Sequence, residues 1–213
     1  MLFRSSALLG RVLKAGGANV ANFLPLRMDE GYGLSLDGLA RCIQVHQPSL
    51  LIAVDCGTTA VDEIRSLGEQ GIDVIVLDHH QPSATVPTCV AVVNPLRQPG
   101  ASPTPFATAG LAFKLAHALV KAGRDRGDTW ANTLDLRDHL DLAATGTIAD
   151  LVPLVGENRI LARTGLKRVG TTKKRGLWAL QLVAGVRAPV RAYDIGFRLG
   201  PRLNAAEIGR AHV

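Results

Sequence analysis

The sequence predicts an α/β fold, doubly wound around a mostly parallel sheet and followed by a helical segment. Two apolar runs, Ser49 to Val54 and Asp73 to Leu77, read as buried strands, and a stretch of helical period joins them. Each run ends in a polar cluster, Asp55-Cys56-Gly57 in one case and Asp78-His79-His80 in the other. Beyond Ala107 the pattern turns helical and strand-like runs cease.

Taken in order, Ser5 or Ser6 caps a first helix to about Ala15, with Leu8, Leu9, Val12 and Leu13 on its inner face. Gly16-Gly17 ends it, and Asn19 to Leu24 reads as a short strand. After the loop Arg27 to Leu34, Ser35 caps a helix to about His46, and Pro48 precedes the strand 49–55. A helix over 59–70, stopped by Gly71, and a strand over 73–78 complete a β-α-β unit. Cys89 to Val93 forms a further strand that ends at Asn94-Pro95, and the prolines of 95–106 make that stretch a surface loop. Helices are expected over 109–122, 134–144, 157–169 and 173–184. The solvated linker Asp125 to Asp128 separates the first two, and its Arg-Gly-Asp string reads as chance. Gly146 to Pro153 is expected as an ordered loop, and Lys173-Lys174-Arg175 as a solvated charge run that could steer DNA.

Composition narrows the partners. A net charge of +6 favours a polyanion, whereas 4% aromatic residues leave few platforms for base stacking. The three cysteines have no metal-type spacing: Cys42 and Cys89 read as small buried hydrophobes, Cys56 as a turn residue, and together they fit a reduced cytoplasm. No apolar run approaches the ~18 residues of a membrane span. Arg11 and Lys14 interrupt the faintly signal-like start, which reads better as a helix.

Open parallel sheets bind ligands outside the carboxyl ends of their strands. Here consecutive strands deliver Asp55 and Asp78-His79-His80 to one rim, the arrangement of a metal site. The bland alternatives are helix capping by Asp55, structural histidines, and a turn cap at Asp150. His46, His117 and His139 belong to no constellation and read as surface or packing residues.

Several segments, in order, carry a resemblance. They are Glu30-Gly31-Tyr32-Gly33-Leu34, Val54-Asp55-Cys56-Gly57, Asp78-His79-His80 and Val92-Val93-Asn94-Pro95. Gly146 to Pro153, with Asp150 inside it, Gly156-Glu157-Asn158-Arg159 and Gly196 to Ala206 follow. Together they resemble the DHH phosphoesterase superfamily, and within it the RecJ-type single-stranded-DNA exonucleases. The run Gly200-Pro201-Arg202-Leu203-Asn204-Ala205-Ala206 points to that branch. Residues 1–206 then form a partial DHH domain, with the sheet in about 1–95 and the helical part in 107–206. Two departures stand out. The family's Asp-rich motif at the end of its first strand has no counterpart upstream of Met1-Leu2-Phe3-Arg4-Ser5, so the domain is expected to be incomplete at its N-terminus. The tail Glu207 to Val213 reads as non-native.

The resemblance implies site roles. Asp55 should bridge two metals, His79 and Asp150 should complete one site, His80 should face the scissile phosphate, and Asp78 should orient a histidine. Arg202, Asn204 and Arg159 should contact phosphate or sugar. Oxygen and imidazole donors suit Mn2+ or Mg2+, two ions in the family, and the imidazole leans towards Mn2+. The implied activity is 5′-to-3′ hydrolysis of single-stranded DNA in repair and recombination, with a helicase or single-strand-binding protein as partners of a full-length parent. With the Asp-rich motif missing, this polypeptide is expected to be weak or inactive. Two other readings differ in class: a non-catalytic DHH-fold DNA-binding or scaffold module, and a phosphodiesterase of short oligonucleotides or cyclic dinucleotides.

Overall fold

A computed structural model describes residues 2–26, 29–97 and 106–209. Most of the proline-rich loop (98–105) and the end of the tail (210–213) lie outside the described residues. Its sheet has three parallel strands in the order β1 (Leu50–Val54), β2 (Asp73–Leu77), β3 (Ala91–Val93). Val54 pairs with Leu77, and Leu77 with Val93. The residues that follow these three, Asp55, Asp78 and Asn94, therefore leave the sheet at one level.

Alternate residues of each strand face opposite sides, so the apolar runs feed two cores. On one face Ala53, Val74 and Val76 meet α3 (Val61–Glu69) and α2 (Leu36–His46) through Ile64, Leu67 and Leu39. On the other, Val54 and Leu77 meet α1 (Leu2–Ala15), α4 (Thr108–Asp125) and α6 (Leu140–Ala149). Helices on both faces of a parallel sheet are the doubly wound arrangement. A third cluster joins α6 to α7 (Gly156–Val169), α8 (Arg175–Val183) and a π-helical stretch, Asp194–Leu199, that runs into α9 (Gly200–Gly209). The wide turn falls beside Pro201, which has no N–H to give to the α-helical ladder.

Four expectations need correction. Asn19 to Leu24 is not a strand. A strand needs a ladder partner about 4.8 Å away. Among the described residues this segment has none, and it faces the unpaired outer edge of β1 across a groove of about 660 Å³. The first helix begins at Leu2, so Ser5 is a buried residue within it and not its cap. The helix expected over 134–144 is displaced. A short α5 (Thr129–Thr133) and a 3-10 turn (Leu136–His139) precede α6, and α6 takes in the first half of the expected loop, Gly146 to Ala149. Gly146 serves helix crossing, not a turn, because a Cβ there would lie 2.2 Å from the Ala109 Cβ of α4. Finally, the charge run is not fully solvated: Lys174 is largely buried, with its Nζ 2.8 Å from Asp141 at the start of α6.

The crossing at Gly146 yields a paired prediction. Gly146→Ala should cost about 1–3 kcal/mol through overpacking. Gly68→Ala in α3, where an added Cβ meets nothing within 4 Å, should be neutral or gain up to about 1 kcal/mol. Urea unfolding of the two variants beside the parent chain measures both.

Candidate metal centre

Each strand end is built for a polar residue. Asp55 follows β1 in the left-handed region at φ 67°, which Asp tolerates better than most residues. Its N–H still donates to the Leu77 carbonyl at 2.9 Å, so the ladder extends to the site. Gly57 then turns the chain at φ 103°, where a Cβ would press on Ala53 and Val76 at 3.3 Å. After β2, the buried Asp78 carboxylate organises its own turn. Its Oδ1 accepts the His79 and His80 N–H groups at 2.8 and 3.3 Å and lies 2.7 Å from His80 Nδ1. Its Oδ2 accepts the Thr58 N–H at 3.2 Å. Burial opposes ionisation of Asp78, but the hydrogen bonds from Thr58 and His80 outweigh it and lower its pKa.

This turn holds the His79 ring between two carboxylates. Nε2 lies 3.4 Å from Asp55 Oδ1 and 3.2 Å from Asp150 Oδ2. Asp150 comes from the C-cap of α6. A carboxylate there meets the negative end of the helix dipole, so its charge calls for a nearby cation. Burial raises the Asp150 pKa and Asp55 adds to the rise, while His79 opposes it. Asp55 moves the other way: burial penalises its charge, yet its pKa is lowered, with the hydrogen bond from His79 the largest favourable cause. For His79, burial disfavours the imidazolium, yet Asp55, Asp150 and Asp78 outweigh burial and raise its pKa above 6.5.

The donor set fits a divalent ion. With bonds of about 2.1 Å, two ligands at right angles stand about 3.0 Å apart. The separations of 3.2 and 3.4 Å around His79 Nε2 are close to that value. His80 also offers a ring nitrogen. Among the described residues Asp55, His79 and His80, without Asp150, form the group whose donor atoms lie within 4.8 Å of one another, so Asp150 would close in on a bound ion from the far side of His79. Carboxylate oxygens with an imidazole match Mn2+ and, less selectively, Mg2+.

Asn204 accepts a hydrogen bond from Arg4 Nη2 at 3.2 Å, and Gly200, at the start of α9, abuts Ala149 beside Asp150. Arg202 is exposed, with Nη1 donating to the Arg198 carbonyl at 2.8 Å, and Arg159 is exposed on α7. Burial, with Asp78 and Asp55 close by, pushes the Cys56 thiol up to about 12, which leaves it unreactive.

Comparison with known proteins gives the family. Residues 3–147 match the DHH family, N-terminal domain. The chain belongs to the DHH family. This DHH chain is 41% identical over 210 residues to the single-stranded-DNA-specific exonuclease RecJ of Bacillus subtilis, covering 97% of the chain and 25% of that relative. It is 41% identical over 202 residues to the exonuclease of the same name from Escherichia coli, covering 90% and 34%. Among solved structures it resembles exonuclease RecJ bound to manganese, with TM-score 0.82, 38% identity and coverage of 96% and 49%. It also resembles RecJ of Thermus thermophilus in complex with Mn2+, with TM-score 0.77, 35% identity and coverage of 98% and 28%. The DHH chain thus spans about a quarter to a third of the curated relatives named here.

Several side chains of this DHH site have no role that the sequence alone makes legible. Tyr32 donates from its hydroxyl to the Asp55 carbonyl at 3.2 Å and meets the His80 ring edge-on. Asn158, the neighbour of Arg159, is the residue that braces the Asp150 loop, with Nδ2 donating to the Pro153 carbonyl at 3.0 Å. Thr58, Thr108 and Asn94 are likewise buried polar residues at the rim. The available signal was their place, next to strand ends or within the motif segments.

The raised His79 pKa sets a pH dependence with a defined sign. Protons and a divalent ion compete for Nε2, so Mn2+ affinity should weaken as pH falls through the His79 pKa, which lies above 6.5. In the metal-free chain the sign is opposite. A pKa raised on folding adds stability that is complete below 6.5 and is lost as pH rises through the folded-state value. Buried His139, with its pKa lowered, contributes in the reverse sense, so the comparison is the parent minus His79→Ala difference. Chemical unfolding at several pH values, with Mn2+ and with a chelator, should give opposite slopes for that difference.

Proposed function

We propose that the protein carrying this chain is a metal-dependent exonuclease that hydrolyses phosphodiester bonds of single-stranded DNA from the 5′ end. The observation that carries this reading is the convergence of Asp55 and Asp150 on His79 Nε2 at the rim of a parallel sheet. Further support comes from relatives named as single-stranded-DNA-specific exonucleases and from solved relatives that hold manganese. Asp55, His79 and Asp150 would hold an ion of Mn2+ or Mg2+. When bound, such an ion supplies a nucleophile at neutral pH and neutralises charge at the phosphate.

The chain's own residues would do the rest. Asp55 and Asp150 bring negative charge that retains the cation, and His79 binds through Nε2 only when deprotonated. Asp78, through His80 Nδ1, fixes the ring whose other nitrogen would face the phosphate as donor or acid. Exposed Arg202 and Arg159 would meet backbone phosphates, and Asn204, steadied by Arg4, would contact sugar or phosphate. A role in repair and recombination, alongside a helicase or single-strand-binding protein, follows from the family resemblance.

The test is nucleotide release from a labelled single strand by the full-length protein that carries this chain, in the presence of Mn2+. His79→Ala should lower the rate by about 100-fold or more while leaving the chain folded. Unchanged DNA binding with no metal-dependent activity to lose, in parent and variant alike, would instead favour the non-catalytic DNA-binding reading.

A further inference from the structure

The third strand end completes the row begun by Asp55 and Asp78, and its residue carries no ligand role. Asn94 is 6% exposed and follows Val93, which is in register with Leu77 and Val54. Its carboxamide spans three segments. Nδ2 donates to the His80 carbonyl at 2.8 Å and to Thr58 Oγ1 at 3.1 Å, while Oδ1 accepts the Leu96 N–H at 2.9 Å. The Asp-His-His turn is therefore held at both ends. Asp78 gathers its N–H groups and the His80 ring at the start, and Asn94 holds its last carbonyl at the close. Between the two anchors lies His79, whose ring meets Asp55 and Asp150. Thr58 links the anchors, since its N–H serves Asp78 and its hydroxyl oxygen serves Asn94.

We propose that Asn94 is a positioning residue for the metal centre, whose two carboxamide N–H donors fix the Asp78-His79-His80 turn and thereby aim His79 at the ion. Only an amide suits the place. It must donate to two oxygens on one side and accept an N–H on the other, which neither a carboxylate nor a hydroxyl can do at once. Without the carboxamide, the His80 carbonyl and Thr58 Oγ1 would each lose the N–H that reaches them from Asn94. The inference rests on the metal-dependent reading of the site, although the geometry of the turn stands without metal.

Asn94→Asp and Asn94→Ala separate positioning from mere packing. Asp keeps the size and the acceptor for Leu96 but lacks both donors, whereas Ala lacks everything. If the donors aim His79, both variants should lose about 10- to 100-fold in Mn2+ affinity, read by electron paramagnetic resonance of free Mn2+. Both should also shift or lose the NMR signal of the His80 Nδ1 proton shared with Asp78. An Asn94→Asp chain within about twofold of the parent in Mn2+ affinity, with the His80 signal unmoved, overturns the proposal. The His80 signal is read without metal, so it decides on Asn94 even if the parent binds no Mn2+, a result that would count against the metal-dependent reading itself. Should neither variant fold, the parent chain decides. The Asn94 carboxamide protons must exchange slowly with solvent and shift together with the His80 signals as Mg2+ is added. Rapid exchange, or no shift, overturns the proposal.

Discussion

The in-register ending of three parallel strands is the constraint on which the site depends. Because Val54, Leu77 and Val93 pair side by side, the next residues, Asp55, Asp78 and Asn94, leave the sheet at a common level. A slip of one residue in either ladder would turn the inward side chains outward and take a polar residue out of the row. Register is defended by burial on both faces, with Val76 and Leu77 fully enclosed. The cores are thus what holds the chemistry in line.

Around that row the charges are arranged so that none is content alone. Asp55 and Asp150 repel each other across His79, burial penalises all three, and Asp150 stands at the unfavourable end of a helix. In the metal-free chain a protonated His79 relieves part of this tension. A divalent ion would relieve more of it, since it carries two charges and accepts every donor atom directly. The second layer is neutral by contrast: Thr58, Asn94, Asn158 and Tyr32 hold backbone carbonyls and carboxylates in place through hydrogen bonds. Ligating carboxylates and imidazoles set charge, while amides and hydroxyls set direction.

Much of this was legible in the sequence. The apolar runs into Asp55 and Asp78 fixed two strands and the rim, because a buried parallel strand has a composition that few other elements share. Gly146 misled, since a glycine signals a turn in sequence but here admits a neighbouring helix at Ala109. Lys174 misled for a related reason: its partner Asp141 lies 33 residues upstream and is invisible to any local pattern. Asn19 to Leu24 has the residues of a strand but no neighbour to pair with among those described. Asn94 stands within a motif segment, yet its role emerges only when the His80 carbonyl, fourteen residues earlier, is seen against its amide.

The measurement that bears most directly on the account is anomalous X-ray diffraction from crystals of the chain soaked in Mn2+. The account predicts a manganese peak in direct coordination with His79 Nε2, Asp55 and Asp150, with the Asp78–His80 and Asn94–His80 hydrogen bonds intact beside it. A peak held by other residues, or full-strength soaks that leave His79 bridging the two carboxylates with no peak between them, would contradict it.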